Sequence, residues 1–196
     1  QFNGVKAALI TSIAMFYDLD DPNEFIADVA ACLKPDGLWL IEMSYLPLML
    51  KRNILDNICH EHLTYYSLFT LRPLLVRHGL DIVDVELNDV NGGSFRVYVR
   101  HDAAARPTSA RLAQLERREQ QMGLDRPQAY EAFARRAIEI KTELLGLIQR
   151  EVGRGKTVYV YGASTKGNTL LQFCGLDHRL ITAAADRNPD KWGKNT

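Results

Sequence analysis

The sequence is poor in cysteine, balanced in charge and without a long apolar run. Its cysteines, Cys32, Cys59 and Cys174, are widely and irregularly spaced, which supports neither a disulfide framework nor a zinc-binding Cys-x-x-Cys pair. Because 24 Lys and Arg balance 24 Asp and Glu, no basic field favours a nucleic-acid or anionic membrane partner. No apolar run approaches the roughly 20 residues that cross a bilayer, and the amino end has no signal-peptide pattern. We therefore expect a soluble, cytoplasmic protein that binds neither nucleic acid nor a membrane.

Length and the two ends bear on domain organisation. The chain has 196 residues, of which 46% are hydrophobic. This exceeds the usual single-domain size of about 100–150 residues, so that about one and a half to two domains are expected. The chain begins at Gln1 within a few residues of a strand-like segment and stops at Thr196 soon after another. We therefore expect a piece cut from a longer protein.

The first 43 residues have the pattern of an α/β fold. Residues 9–13 and 38–43 are short apolar runs that are typical of buried strands. Between them, apolar residues at spacings of three and four predict a helix, and residues 34–37 supply a stop and a turn. A strand, a helix and a strand joined by short turns are most simply connected as a parallel crossover.

The next segment combines an irregular stretch with a predicted hairpin. Residues 44–67 have no clean period, and loops of that length inside a compact domain are usually functional or disordered. A helix is predicted over 68–78. Residues 80–87 and 95–100 then alternate between polar and apolar on either side of a turn signal at 91–93, which predicts an antiparallel pair of strands.

The composition shifts to Ala, Arg, Glu and Gln from Pro107 onward. Two amphipathic helices are predicted there, at 109–122 and 127–152, and we interpret them as a structural connection. The last segment is predicted as a βαβ unit with a strand at 157–161, a loop at 162–168, a helix at 169–174 and a strand at 180–185.

The loop at 162–168 is a candidate anion site. Gly162 and Gly167 lie between a strand and a helix, where backbone N–H groups and the helix dipole can hold a phosphate. The glycine spacing is that of a P-loop, but Asn168 stands in place of the phosphate-binding Lys, which argues against nucleotide hydrolysis. The dinucleotide pattern is absent, although Asp186 lies where an acid could meet a ribose or sugar hydroxyl. A turn that needs glycine only for its geometry stays open as the alternative.

The run from Cys59 to His62 is the main candidate for chemistry. An imidazole with a pKa of about 6.5 can accept a proton at neutral pH, and a neighbouring carboxylate can orient it. His60 and His62 could instead share a divalent ion, but no nearby residues supply a third and fourth ligand. Simple capping of backbone groups also stays open. Hydroxyls that could bond a sugar or an enolate oxygen follow at Tyr65 and Tyr66.

Three motifs together resemble the sugar C-methyltransferases. These are S-adenosylmethionine-dependent enzymes that act on nucleotide-linked keto-deoxysugars. The resemblance covers almost the whole chain in order, and three motifs at compatible spacing are far more specific than one. The motifs are His60 to Ser67, Gly92 to Val99, and Gly162 to Asn168 together with Asp186 to Pro189.

The resemblance implies an α/β fold in three parts. Residues 1–103 would be the carboxy-terminal half of a class I methyltransferase doubly wound sheet, 104–153 a helical connection, and 154–196 a truncated Rossmann-like domain with a βαβ unit. Residues 9–13 and 38–43 would be the fourth and fifth strands of the sheet, and the hairpin would be the sixth and seventh. The first three strands and an amino-terminal zinc domain would lie outside this chain.

The resemblance also implies a reaction and its residues. A base removes a proton from the carbon next to a ketone, and the enolate attacks the methyl group of S-adenosylmethionine. His62 is predicted as the base, Glu61 as the group that positions it or stabilises its charge, and His60 as the competing base. Cys59 stands where family members often have Tyr, and it receives no role. The residues predicted to contact the cofactor are Ser12, Ala14, Met15 and Tyr17. Those predicted to bind substrate are Tyr65, Tyr66, Gly162, Ser164, Lys166, Gly167, Asn168, Asp186 and Arg187.

Other functions stay open at this point. A non-catalytic nucleotide-sugar binding module could be built on residues 157–188, and a metal-dependent hydrolase could use His60 and His62. A methyltransferase that acts on another substrate class, or on oxygen or nitrogen, would also fit.

Overall fold

The computed structural model describes residues 4–101 and 108–195. The predicted boundary between residues 103 and 104 and the composition change at Pro107 lie outside the described residues. The chain divides into two compact units. The first contains Glu61–Ala129 and the described residues up to Arg52, and the second contains Asn53–His60 and the described residues from Tyr130 onward.

The first unit is built around a sheet with helices. Its strands and helices are β1 (Ala7–Ile13), α1 (Pro22–Cys32), β2 (Leu33–Ser44), α2 (Leu46–Arg52), α3 (Leu68–Val76), β3 (Leu80–Asn88), β4 (Ser94–His101) and α4 (Ala110–Met122). Asp21 caps α1 by accepting hydrogen bonds from the N–H groups of Asn23 and Glu24, at 2.9 and 3.1 Å. Ser109 caps α4 by accepting from Leu112 at 3.0 Å. Both helices begin at short polar side chains of the kind that stabilise a first turn.

The four strands form one mixed sheet in the order β1-β2-β4-β3. β1 runs parallel to β2, and β4 is antiparallel to both β2 and β3. The predicted parallel pair and the predicted hairpin are therefore confirmed. This mixed sheet agrees with the α/β fold predicted for the carboxy-terminal half of a class I methyltransferase domain.

β2 begins earlier than predicted, at Leu33, directly after α1. Its register with β1 moves from Ala7 opposite Leu33 to Leu9 opposite Leu38, so that residues 34–37 form an irregularity inside the strand. These four residues were predicted to form a turn between the helix and the strand. That prediction is wrong, because the strand already begins at Leu33. An extra stretch of chain can be absorbed as a bulge when the strand on both sides of it stays paired.

The prediction of no regular structure over 44–67 is also wrong in part. α2 occupies Leu46–Arg52, and a single 3-10 turn follows at Leu55–Asn57. Four of the first five residues of α2 are buried: Leu46, Pro47, Met49 and Leu50. A helix that is apolar on most of its surface has no polar face, and the sequence therefore shows no 3.6-residue period.

The core of the first unit lies on one side of the sheet. Ile41 on β2 and Val97 on β4 are partners in the antiparallel ladder, and both are fully buried. Ile26 of α1, Leu71 of α3 and Leu112 of α4 belong to the same cluster. Each such side chain contributes about 1.5–3 kcal/mol through burial.

The second unit contains α5 from Tyr130 onward, in a helix that spans Pro127–Gly153, followed by β5 (Tyr159–Tyr161), α6 (Thr165–Cys174) and β6 (Ala183–Ala185). β5 and β6 are parallel, as a βαβ unit requires. Both strands are shorter than predicted. No helix in the two described stretches combines the length and apolar character needed to span a membrane.

α6 begins at Thr165, four residues before the predicted start, so the predicted loop at 162–168 is wrong for its last four residues. The Ser164 hydroxyl accepts a hydrogen bond from the N–H of Gly167 at 3.0 Å. The Ser164 carbonyl accepts from Asn168 at 2.8 Å. Because Ser164 satisfies these N–H groups, the helix can start there despite Gly167.

Candidate functional site

The carboxyl end of β1 has an unusual backbone. Ala14, the first residue after the strand, has a φ of 52°, in the left-handed region that non-glycine residues rarely adopt. Its N–H donates to the carbonyl of Glu42 at 2.8 Å. A 3-10 turn at Phe16–Asp18 follows, in which Phe16 and Tyr17 are buried and Asp18 is exposed. Ligands of doubly wound sheets bind at strand ends of this kind.

The predicted base His62 lies directly against this strand end. The rings of Tyr17 and His62 meet edge to face, with their centroids 4.5 Å apart and an angle of 62° between their planes. The Tyr17 carbonyl accepts hydrogen bonds from the N–H groups of Leu63 and Thr64, at 3.0 and 3.2 Å. The structure thus brings together, within the first unit, the predicted base and the segment predicted to contact the cofactor.

Asp18 adds a carboxylate that sequence analysis did not assign to the site. Loss of hydration raises the pKa of Asp18, His62 opposes this rise, and Glu61 adds to it. His62 and Glu61 therefore lie close enough to Asp18 for their charges to act on its carboxylate. A usable signal was present in the sequence, because a carboxylate that closely follows a buried strand lies at a ligand-binding edge.

The residues predicted to contact the cofactor differ in solvent exposure. Ser12 is buried, and its hydroxyl accepts a hydrogen bond from the indole N–H of Trp39 at 3.0 Å. Tyr17 is also buried, whereas Ala14 is exposed and Met15 is half-buried. Of these four residues, Ala14 and Met15 thus present accessible surface, whereas Ser12 and Tyr17 lie in the core.

The two tyrosines after the histidines have different surroundings. Tyr66 is buried, and its ring lies 5.2 Å from that of Phe16 between centroids. Burial raises the pKa of Tyr66, and a side-chain hydrogen bond with Thr64 opposes the rise. Tyr65 is half-buried. Tyr66 thus packs in the core, and Tyr65 has the more accessible side chain of the two.

The other members of the four-residue run are more exposed than His62. Glu61 is exposed and belongs to the first unit, while His60 is exposed and ends the segment Asn53–His60 of the second unit. Cys59 is a half-buried free cysteine. Of the two predicted bases, only His62 is shown in ring contact with the strand end.

A buried glutamate supports the residues that follow the candidate loop. Glu119 on α4 is 4% exposed. One of its oxygens accepts hydrogen bonds from the Tyr45 hydroxyl at 2.6 Å and from Leu68 N–H at 2.8 Å, and the other accepts from Phe69 N–H at 2.8 Å. A carboxylate at a helix amino end satisfies N–H groups that the helix leaves open. Glu119 was not predicted from the sequence, because one more acidic residue in a charged amphipathic helix carries no distinguishing signal.

In the second unit, Asp186 closes the turn between β5 and α6. Its carboxylate accepts hydrogen bonds from the N–H groups of Ala163 and Asn188, both at 2.8 Å, and from the Lys191 ammonium at 3.2 Å. These bonds lower the pKa of Asp186 to about 2. Gly162 makes the turn possible, since its φ of 102° lies in a region that side chains disfavour.

The other predicted substrate-binding residues lie around this turn. Lys166 and Asn168 are half-buried in the first turn of α6, Gly167 lies between them, and Arg187 is exposed. Lys191 and Trp192, which were not predicted from the sequence, also contact this turn. The Lys191 ammonium also donates to the Ala163 carbonyl at 2.5 Å, and the Trp192 indole donates to the Asp186 carbonyl at 2.8 Å.

The described part of the chain offers no ligand set for the metal-dependent alternative. Over residues 4–101 and 108–195, no group of three His, Cys, Asp or Glu side chains is arranged to hold a metal ion. A stable zinc site needs three or four such ligands.

Comparisons with known proteins bear on the whole chain. Residues 89–196 match the family described as C-methyltransferase C-terminal domain, and residues 2–85 match a methyltransferase domain family. The chain is 38% identical over 188 residues to the C-methyltransferase NovU of Streptomyces niveus, a match that covers 96% of this chain and 45% of NovU. The chain therefore spans less than half the length of this curated relative.

Two solved structures are more distant. A chain of the complex between the Haloferax volcanii Trm112 methyltransferase activator and a methyltransferase has a TM-score of 0.41 at 17% identity, over 49% of this chain and 55% of that one. The M1.HpyAVI–SAM complex has a TM-score of 0.31 at 14% identity, over 51% of this chain and 46% of that one. Neither similarity adds to what the sheet and the sequence matches establish. The matched domain covers more than half of the sequence, and the chain belongs to the C-methyltransferase C-terminal domain family.

Proposed function

We propose that the protein containing this chain is an S-adenosylmethionine-dependent C-methyltransferase that acts on a nucleotide-linked keto-deoxysugar. The observation that carries the proposal is the contact of His62 with Tyr17 at the carboxyl end of β1. It joins a proton-accepting side chain to the strand end where a class I methyltransferase sheet binds its ligands. The similarity to the C-methyltransferase NovU supports carbon as the methylated atom.

His62 acts as the general base in this proposal. An imidazole ring nitrogen takes the proton from the substrate carbon next to the ketone, and the electrons of the C–H bond move into the enolate. The imidazolium that forms gains stabilisation from the nearby carboxylates of Glu61 and Asp18. Since His62 is half-buried, its charge is screened less than that of a fully exposed side chain.

The end of β1 provides one edge of the cofactor site. S-adenosylmethionine, when bound, supplies an electrophilic methyl group to the carbon that has lost its proton. Ala14 and Met15 would contact it, while Ser12 and Tyr17 hold the turn from inside the core. The bond from Trp39 to Ser12 keeps the end of β1 attached to β2.

The second unit would bind the nucleotide part of the substrate. Lys166 carries a positive charge in the first turn of α6, where the helix dipole also favours a diphosphate. Gly162, Ser164, Gly167 and Asn168 would complete the contacts to the diphosphate, and Asp186 or Arg187 would face the nucleoside or sugar. Because Asp186 already accepts the Ala163 N–H, we leave Ala163 out of the phosphate contacts.

Hydrogen exchange tests the base assignment without methyl transfer. The protein that contains this chain is incubated in heavy water with a nucleotide-linked 4-ketosugar and no S-adenosylmethionine, and NMR follows the C–H signal next to the ketone. We expect this signal to disappear with the unmodified protein and to persist with His62→Asn. General-base removal typically costs about 10²–10⁴ in rate.

Two further variants make the result specific. His60→Asn tests the competing base, and it should retain most of the exchange if His62 is the base. His101→Asn, on β4, controls for the loss of any histidine from the first unit. Exchange that survives in His62→Asn but is lost in His60→Asn would assign the proton transfer to His60.

Calorimetry tests the nucleotide site separately. We expect a nucleoside diphosphate to bind the chain and Lys166→Ala to weaken that binding, while Lys34→Ala, an exposed lysine of the first unit, leaves it unchanged. Equal binding by Lys166→Ala and the unmodified chain would remove Lys166 from the site.

A further inference from the structure

We propose that Tyr17 is the positioning residue of His62, and that it fixes both the plane of the imidazole and the place of the loop that carries it. This inference rests on the proposed function, in which His62 is the base. It gives Tyr17 a role that differs from contact with the cofactor. Two independent contacts from one residue carry it.

The first contact restrains the imidazole ring. The Tyr17 and His62 rings meet edge to face, with centroids 4.5 Å apart and an interplanar angle of 62°. Aromatic rings favour this arrangement because the positive edge of one faces the negative face of the other. Rotation of His62 about its side-chain bonds would lose the contact, so the ring nitrogens keep one direction.

The second contact restrains the backbone after His62. The carbonyl of Tyr17 accepts hydrogen bonds from Leu63 N–H at 3.0 Å and Thr64 N–H at 3.2 Å. The loop therefore cannot leave the strand end without breaking both bonds. A base must lie within hydrogen-bond reach of the proton it removes, and small displacements of a reacting group cost rate steeply.

Tyr17 is itself buried and can therefore restrain the side chain that packs on it. It is 8% exposed, and its neighbour Phe16 is fully buried. The Phe16 ring contacts Trp39 and Tyr66, with centroids 5.8 and 5.2 Å apart. Phe16 is thus fixed in the core, its neighbour Tyr17 is fixed with it, and Tyr17 in turn contacts His62.

The same turn also places charge beside the imidazole. Asp18 follows Tyr17 directly; lost hydration raises the pKa of Asp18, the nearby His62 opposes that rise, and Glu61 adds to it. Tyr17 therefore holds the imidazole where two carboxylates can stabilise the proton that it accepts.

NMR of this chain tests the positioning without substrate or cofactor. The His62 ring protons are assigned by comparison with His62→Asn. In the unmodified chain we expect cross-relaxation between the ring protons of Tyr17 and His62, together with a ring-current shift of the His62 signals. Tyr17→Phe should keep the shift, and Tyr17→Leu should abolish it. Tyr159→Leu, which removes an exposed tyrosine from β5, should leave the His62 signals unchanged.

The outcomes separate this inference from the proposed function. Absence of cross-relaxation in the unmodified chain would overturn the positioning role, even if Tyr17→Leu does not fold. A His62 signal that is the same in folded Tyr17→Leu and in the unmodified chain would also overturn it. In the exchange assay, we expect Tyr17→Leu to lower the maximal rate at least tenfold with little change in KM, and Tyr17→Phe to restore most of it. If the protein shows no exchange at all while the NMR contacts are present, the proposed function fails and the positioning of His62 stands.

Discussion

The hydroxyl of Tyr45 donates a 2.6 Å hydrogen bond to the carboxylate of Glu119, across 74 positions of sequence. Burial and the adjacent negative charge both raise the pKa of Tyr45, so the hydroxyl stays protonated and donates. The same carboxylate accepts the first N–H groups of α3. One buried side chain on the last turn of α4 therefore connects the end of β2 with the start of α3.

Removal of the Glu119 carboxylate should destabilise the first unit strongly. Glu119→Ala leaves the Tyr45 hydroxyl and two backbone N–H groups buried without their acceptor, and we expect a loss of about 3 kcal/mol in the free energy of unfolding. Tyr45→Phe removes one donor and should cost about 2 kcal/mol. Urea unfolding followed by the fluorescence of the fully buried Trp39, with Trp192→Phe as background, measures both.

The exposed neighbour Gln120 provides the matched control, since Gln120→Ala should change stability by no more than about 0.5 kcal/mol. The costs of Glu119→Ala and Tyr45→Phe should also add to more than the cost of the double variant. Strict additivity would mean that the two side chains act independently, against the bond that joins them.

Asp18→Asn should change the pH dependence of stability in a defined direction. The pKa of Asp18 is raised in the folded chain, chiefly by lost hydration, so the folded state holds this proton more tightly than the unfolded state. Its contribution to stability is present below the unfolded pKa and is lost as the pH rises through the folded value. Relative to the unmodified chain, Asp18→Asn should therefore gain stability between acid and neutral pH. Unfolding curves at a series of pH values test this, and a gain confined to low pH would contradict it.

The second unit should lose stability in acid through Asp186. Hydrogen bonds from Asn188, Ala163 and Lys191 lower the pKa of Asp186 to about 2. The stability that these bonds provide is present above the unfolded pKa, about 3.9, and is lost as the pH falls towards 2. The indole N–H signal of Trp192, which donates to the Asp186 carbonyl, should report the change by NMR. Asp186→Ala should remove this acid transition, and Asp190→Ala should retain it.

Gly93 should tolerate alanine less well than Gly79. Both residues have positive φ, 146° at Gly93 and 69° at Gly79. A Cβ at Gly93 would lie 2.9 Å from the Cβ of Leu48 on α2, whereas a Cβ at Gly79 meets nothing within 4 Å. We expect Gly79→Ala to cost about 1 kcal/mol and Gly93→Ala about 3 kcal/mol, because overpacking adds to the conformational cost. Equal losses in urea unfolding would show that α2 moves away without penalty.

Most regular elements of the fold could be predicted from local patterns. The hairpin of β3 and β4 was visible from period-two alternation around Asn91, and α4 and α5 from their amphipathic faces and flanking Ser109 and Pro127. α2 could not be predicted in the same way, because its first turn is buried on most sides. The early start of α6 was within reach, since Ser164 is a good capping residue.

The candidate site was predictable only in part. The chemical capacity of His62 and Glu61 follows from their side chains, and the resemblance to sugar C-methyltransferases indicated which histidine to prefer. The role of Glu119 depends on its burial and on partners at Leu68 and Phe69, 51 and 50 positions away, so that no local spacing marks it.

Local sequence was enough to predict the α/β class, the strands and most of the helices, because hydrophobic periodicity is a local property. It also indicated that the histidines can accept a proton, because that capacity belongs to the side chain itself. Tertiary structure alone decided that His62 rests on Tyr17, that Glu119 caps α3, and that Asp186 closes the turn before α6. Each of these contacts joins residues at least 23 positions apart. Only the packing of the sheet and its helices brings such residues within hydrogen-bond or ring-contact distance.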